Sequence, residues 1–360
     1  MRKALIAMSG GVDSSVAAWL LKNSGYDCVG AMMKLYTNEG IGADRENGCC
    51  SLQDAEDARA VAFRLDIPFY VFNFTACFAE QVIRRFIHAY QNGLTPNPCI
   101  DCNRYLKFER FARRAREIDC DYMATGHYAR IERDHERWLL KKGADASKDQ
   151  SYVLYAMTQT QLSRTLFPLG GLTKAKVREI AAAQGFINAK KRDSQDICFV
   201  PDGDYAGFIQ RHTEKTSIKG RIVDTNGHAL GEHKGIFHYT VGQRRGLGLA
   251  AAEPMYVCSV CPESNTVIVG PHDQLYTKTL IARDINLIPM ERLDAPLQVG
   301  AKIRYRHPEQ PATVWQLDAD TLRVEFDSPQ RAITTGQAVV LYDGDTVIGG
   351  ATITSATGGC

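Results

Sequence analysis

ALIAMSGGVDSSVAAWLLK, residues 4–22, decides how the chain begins to fold. An apolar run of strand length, ALIAM, gives way to serine and glycine, and an apolar run with helical spacing, VAAWLLK, follows at once. Glycines at such a junction let the backbone approach a ligand closely, and the helix behind them offers unpaired N–H groups and the positive end of its dipole. The expected guest is a phosphate. The loop lacks the lysine of G-x-x-x-x-G-K-[ST] and the spacing of G-x-G-x-x-G, so it is neither a Walker A site nor a dinucleotide fingerprint.

Outward from this junction, strand-like runs at 26–34, 67–74 and 120–128 alternate with helical patterns at 52–66, 78–93 and 104–118. That alternation predicts an α/β fold with a doubly wound parallel sheet, whose ligands sit beyond the carboxyl ends of the strands. The texture changes near residue 204. After a last short helix, GDYAGFIQRHT, short alternating runs are separated by NG, DG, Pro and Gly, which predicts β-hairpins in a small central β-rich unit and a C-terminal β-barrel. The expected division is 1–203, 204–273 and 274–360.

A chain of 360 residues with 44% hydrophobic content can bury several cores. Its apolar N-terminal run is too short to span a membrane and has no small-residue cleavage site, so neither a signal peptide nor a membrane partner is expected, and the cytoplasm is the expected compartment. Eleven cysteines, at 28, 49, 50, 77, 99, 102, 120, 198, 258, 261 and 360, are irregularly spaced and odd in number. They read as thiols, metal ligands or catalytic groups rather than a disulfide framework. The net charge of +2 is nearly neutral, but basic clusters recur in ERFARRARE (109–117), AKKRD (189–193), GQRRG (242–246) and IRYRH (303–307). Such clusters suit either solvated faces or a polyanion such as RNA.

Two cysteines stand beside cations in segments that read as loops. Cys102 is followed by Arg104 and Lys107, and Cys198 is preceded by Lys190, Lys191 and Arg192. Positive neighbours lower a thiol's pKa and favour the nucleophilic thiolate. Buried structural cysteines are the alternative.

SGGVDSS is similar to the signature loop of the PP-loop ATP pyrophosphatases, which cleave ATP between its α and β phosphates to adenylate a substrate oxygen. Together with TPNPCIDCNRYLKF (95–108), TGHY (125–128), SKDQSY (147–152), KKRDSQDICF (190–199), GQRRGLG (242–248) and RAITTGQAVVLYDGD (331–345), it closely resembles the tRNA-specific 2-thiouridylases over nearly the whole chain. The resemblance implies an adenine nucleotide α-hydrolase-like fold and replacement of the 2-oxygen of a wobble uridine by sulfur. ATP would be the cosubstrate with Mg2+, and a sulfur-carrier protein or cysteine desulfurase would donate the persulfide. It further implies that Cys198 carries the persulfide and that Cys102 is the second catalytic cysteine. Ala7, Met8, Ser9, Gly10, Gly11, Val12, Asp13, Ser14, Met33 and Gly126 would contact ATP. Asn97, Pro98 and residue 99 would lie beside the target base, while His127, Lys148, Asp149, Gln150, Arg304, Tyr305 and Gln337 would touch tRNA.

Many family members have Asp where this chain has Cys99. The resulting C-x-x-C, Cys99 and Cys102, with Cys198 as a third thiol, admits an iron–sulfur cluster with one open position. Only one pair has metal-type spacing, and a metal-free site is the favoured reading. Two rival functions remain open from sequence: another PP-loop ligase acting on a small molecule, and a non-catalytic RNA-binding or redox module.

Overall fold

Strand β1 (Lys3–Ala7) is the middle strand of a five-stranded parallel sheet. Ala4, Leu5 and Ile6 are fully buried, as expected for a strand covered on both faces. The computed structural model describes residues 1–37, 41, 52–191, 197–213, 217–251 and 253–356, and all helices and strands named below belong to these described residues. The chain divides into two units. One holds Met1–Ile83, Pro98–Gly203 and Asp345–Val347, and the other Arg84–Asn97, Asp204–Gly344 and the residues from Ile348 onward.

In the first unit, β1 is followed by α1 (Val12–Asn23), β2 (Asp27–Lys34), α2 (Leu52–Arg64) and β3 (Phe69–Asn73). After a helical stretch at 75–91, where the sequence pattern predicts one, a continuous helix, α3 (98–117), leads to β4 (Tyr122–Ala124). A hairpin, β5 (Ala129–Asp134) and β6 (Arg137–Lys142), precedes the short β7 (Thr165–Leu166) and α4 (Lys174–Ala183). The sheet order is β3-β2-β1-β4-β7, so the chain steps outward from β1 on one side and then crosses to the other. The crevice between the carboxyl ends of β1 and β4 is therefore the topological switch point, where parallel sheets bind ligands. Val16, Ala17, Ala18 and Leu21 of α1 pack with Ala4 and Ile6 of β1, and with Val177 and Ala181 of α4.

The second unit holds α5 (Tyr205–Arg211) and two β assemblies. Strands β8 (Gly220–Asp224), β9 (Ala229–His233), β10 (Tyr256–Cys261) and β11 (Thr266–Gly270) form a sheet in the order β10-β11-β8-β9. The TNG turn joins β8 and β9 as an antiparallel hairpin, whereas β11 runs parallel to β8, so this sheet is not built of hairpins alone. Strands β12 (Tyr276–Leu287), β13 (Leu297–Lys302), β14 (Gln310–Gln316), β15 (Thr321–Arg331), β16 (Ala338–Asp343) and β17 (Thr346–Ala356) follow the order β12-β15-β14-β13-β16-β17. Pairing of β17 back onto β12 closes this antiparallel barrel. Its interior is apolar, with Leu280, Val299, Val314, Leu322, Val324, Phe326, Val339, Leu341 and Ile353 among the buried side chains.

The alternation of AKIRYRH (301–307) reads as a strand, and no hairpin is expected from the sequence at 129–142. The run AKIRYRH does not continue as a strand, because β13 ends at Lys302 and Arg304 O already accepts a turn bond from His307 N at 3.1 Å. The hairpin β5–β6 has no counterpart in the sequence reading, because four of the six residues of β5 are charged and its apolar face is only Ala129 and Ile131, too short to reveal alternation. Ile6→Ala should lower the stability of the first unit by about 2–5 kcal/mol, since it opens a cavity between two packed layers. A downward shift of that unit's urea midpoint checks it.

Candidate active site

The SGGVDSS loop lies at the carboxyl end of β1, and TGHY lies at the carboxyl end of the adjacent β4. Gly11 is the N-cap of α1 and provides no side-chain cap. Ser14 and Ser15 turn their hydroxyls back to donate to Gly11 O, at 3.1 and 3.0 Å, and Ser9 N donates to Ser14 Oγ at 3.1 Å. The serines thus brace the loop from inside and leave the first-turn amides to an outside acceptor. Two glycines permit the crowding. Gly10 has φ +75°, and a Cβ there would lie 2.3 Å from Asp54 O, while a Cβ on Gly126 would lie 2.8 Å from the backbone of Asp13 and Ser14. Of the other nucleotide candidates, Met8 and Val12 are buried in the core beneath the loop, Ser9 is exposed, and Ala7 and Met33 are half-buried near the ends of β1 and β2.

Asp13 is held by residues that sequence reasoning did not single out. Lys174 Nζ reaches Asp13 Oδ1 at 2.7 Å and Oδ2 at 2.8 Å, and Tyr128 donates its hydroxyl to Oδ1 at 2.7 Å. Lys174 opens α4, where Thr173 caps the helix by accepting from Lys176 N, and Lys174 N donates to Asp145 Oδ2 at 2.9 Å. The T-K-A-K string carried a capping signal, but nothing local to it pointed 161 residues back to Asp13.

Lys191 was expected to act on the thiol of Cys198. Instead it bonds Asp54 Oδ1 and Asp57 Oδ2, each at 2.6 Å, and lies 3.3 Å from Gly10 O. Burial opposes its charge, but the two aspartates outweigh that effect and raise its pKa above the ordinary lysine value.

Cys102 does not sit in a loop. It begins a π-helical stretch, Cys102–Phe111, inside α3, and its side chain is half-buried. Burial pushes its thiol pKa upward, the Lys107 ammonium opposes, and Asp101 and Cys77 add to the upward push. The expected cationic lowering is therefore outweighed by loss of solvent. Pro98, buried as the first residue of α3, was the overlooked signal of an earlier helix start. Cys77 is a further thiol that sequence reasoning passed over. Cys198 is half-buried; its carbonyl accepts from Tyr36 Oη at 2.9 Å. The adjacent Phe199 packs edge-on against Phe78, with ring centroids 5.6 Å apart. Arg192 lies outside the described residues.

Cys99 is exposed at the start of α3. Among the described residues, which include Cys99, Cys102 and Cys198, no group of three or more His, Cys, Asp or Glu side chains could hold a metal ion. Cys99, Cys102 and Cys198 are thus not assembled as a cluster ligand set.

His127 is 6% exposed, with both ring nitrogens engaged by its own chain. Lys107 Nζ lies 3.2 Å from Nε2, which assigns the proton to Nδ1, 2.6 Å from Thr125 Oγ1. Asp149 accepts from Gly143 N and Ser151 N, Gln150 exchanges bonds with Tyr128, and Lys148 N closes a turn on Asp145 O. In the second unit, Arg304 donates to Val241 O, Ala332 O and Thr334 Oγ1, Gln337 donates to Thr95 O at 2.8 Å, Tyr305 is exposed and Asn97 is half-buried.

Three family models match successive parts of the chain: a "tRNA methyl transferase HUP domain" over residues 2–202, a "tRNA methyl transferase PRC-barrel domain" over 206–271 and an "Aminomethyltransferase beta-barrel domain" over 277–353. The tRNA-specific 2-thiouridylase MnmA of Clostridioides difficile (strain 630) is 52% identical, covering 98% of this chain and 98% of that protein. The chain belongs to the tRNA-specific 2-thiouridylase family. A second member of that family, MnmA of Lachnoclostridium phytofermentans, is 51% identical over 98% of this chain and 99% of its own length. Among solved structures, a 4-thiouridine synthetase–RNA complex with bound ATP aligns with 20% identity and a TM-score of 0.38, covering 56% of this chain and 45% of that one.

Burial and Lys107 hold the His127 pKa well below the ordinary imidazole value of 6.5. Below about pH 6.5 the unfolded chain binds a proton at this site that the folded chain does not. Stability should therefore fall with pH by up to about 1.4 kcal/mol per unit down to the folded-state pKa. His127→Gln should remove that part of the slope in urea midpoints compared at pH 7 and 5.5.

Proposed function

We propose that the protein replaces the 2-oxygen of the wobble uridine in tRNA by sulfur, using ATP to activate the base and a cysteine persulfide to deliver the sulfur. The observation that carries this reading is the meeting of SGGVDSS and TGHY at the switch point of the sheet, in a chain of the 2-thiouridylase family. Uncapped first-turn amides and the α1 dipole suit a triphosphate. Residues 7–14, Met33 and Gly126 are the proposed nucleotide contacts.

In the proposed reaction the uridine 2-oxygen attacks the α-phosphorus and diphosphate leaves, converting a poor leaving group into AMP. The terminal sulfur of a Cys198 persulfide then attacks C2, and AMP departs with the former oxygen. Cys102 thiolate cleaves the sulfur–sulfur bond at Cys198. If it does so after transfer, it leaves 2-thiouridine and a Cys102–Cys198 disulfide, which an external thiol must reduce before the next turnover. If it acts earlier, sulfide is released as the nucleophile. The Lys107 ammonium opposes the upward push of burial on the Cys102 thiol. Mg2+ would be held by phosphate oxygens, since the described residues provide no acidic cage and Asp13 already meets Lys174. The target base must leave its stack to reach such a site, with Asn97, Pro98 and Cys99 proposed beside it. His127, Lys148, Asp149, Gln150, Arg304, Tyr305 and Gln337 are proposed on the tRNA side, where their internal bonds shape the surface presented to RNA.

The segments 1–203, 204–273 and 274–360 are proposed as an adenylating domain, a central domain and a barrel that widens the RNA grip. The persulfide donor is a sulfur-carrier protein or a cysteine desulfurase, and the proposed compartment is the cytoplasm. No helix among the described residues is long and apolar enough to cross a membrane.

Mass spectrometry of tRNA nucleosides after incubation with ATP and a persulfide donor tests the reading, with 2-thiouridine as the expected product and unmodified uridine as the result against it. Cys198→Ser should abolish thiolation while ATP–diphosphate exchange in the presence of tRNA persists. Asp13→Ala should reduce diphosphate release by about a hundredfold or more, on the scale of a lost electrostatic contact in a preorganised site.

A further inference from the structure

The Gly10–Gly11 peptide is gripped from behind. Gly10 O accepts Asn188 Nδ2 at 3.0 Å and lies 3.3 Å from Lys191 Nζ. Asn188 is 2% exposed, and the same Nδ2 donates to Ser15 Oγ at 2.9 Å, while its Oδ1 has no hydrogen-bond partner among the described residues. An amide turned over would set its oxygen against Gly10 O, so the orientation is fixed despite the orphaned oxygen. Buried polar atoms are rarely left this way unless another constraint prevails. Lys191 is itself braced by Asp54 and Asp57, whose side chains are each 10% exposed. The backbone of Asp54 also walls in Gly10.

A peptide group is planar and trans, so the carbonyl of Gly10 and the N–H of Gly11 point in opposite directions. Holding the carbonyl against Asn188 and Lys191 aims the Gly11 N–H away from them, out of the loop's packed side. We propose that Asn188 and Lys191 are positioning residues of the nucleotide site, fixing this peptide so that the Gly11 N–H is presented to a phosphate oxygen of ATP. The inference rests on the nucleotide reading of the loop and extends it to two residues outside that motif.

Equilibrium binding of ATP to the full-length protein tests it, with tRNA affinity and melting temperature measured alongside. Asn188→Leu keeps the volume and removes both donors; the Kd for ATP should rise about tenfold, the loss of one well-placed hydrogen bond, while tRNA affinity stays within about twofold. Lys191→Arg should retain near-wild-type ATP binding. Lys191→Met combined with Asp54→Asn and Asp57→Asn removes the cation without stranding buried carboxylates, and should also weaken ATP several-fold. If Asn188→Leu does not fold, this triple variant decides. Folded variants that bind ATP as tightly as the wild type overturn the proposal. Wild-type protein that binds no ATP overturns the reading of the loop itself, and this inference with it.

Discussion

A helix that is to receive an anion at its N-terminus must not cap itself, and that single constraint organises the first unit. Gly11 supplies the N-cap position without a side chain to fold over the first-turn amides. The loop then needs support from elsewhere, because uncapped amides alone do not fix a backbone. Ser14 and Ser15 brace it from inside the turn, Asn188 and Lys191 meet it from behind, and Gly126 lets the loop after β4 close to van der Waals range of the α1 backbone. Every one of these contacts leaves the open side of the turn alone. Asp13 projects from that turn and is balanced by Lys174, so a carboxylate at the rim does not stand there as an uncompensated negative charge against an incoming anion.

The architecture was legible where local pattern and tertiary demand agree. The strand–loop–helix junction, the alternation that follows and the turn-rich β segments announced the parallel sheet and the barrel, because period-2 and period-3.6 patterns are written within a few residues. What escaped were features set by partners far off in sequence. The pairing of Lys174 with Asp13 depends on how α4 packs against α1, and the commitment of Lys191 to Asp54 and Asp57 depends on where α2 lies. Reading charges along the chain assigned Lys191 to Cys198, but the folded chain brings two aspartates closer. The start of α3 was placed too late for a similar reason: the first helical turn holds Pro98 and Cys99 rather than the apolar periodicity by which helices were recognised.

In the proposed reaction the sulfur side of the site differs in kind from the nucleotide side. A loop that binds phosphate works by preorganised dipoles, whereas a thiol must change state, and burial resists that change at Cys102. In the proposed reaction this resistance is useful: a thiol kept protonated until the substrate and its charges arrive is protected from idle oxidation and exchange. Lys107 lowers the pKa of this thiol and also lies against the ring of His127, which links the ionisation of Cys102 to the interior packing beside β4.

The winding of α3 carries one further consequence. From Cys102 to Phe111 the helix follows the wider π pitch before it resumes the α form at Ala112. Such a stretch accommodates additional backbone within a helix whose ends are anchored on both sides. Deleting one residue as one π turn tightens to the α form leaves the phase of the flanking turns nearly unchanged, because a π turn holds about one residue more than the 3.6 of an α turn. The bearing of Cys102 thus tolerates the loss of one residue here, where the same deletion in a plain α-helix turns a side chain by about 100°.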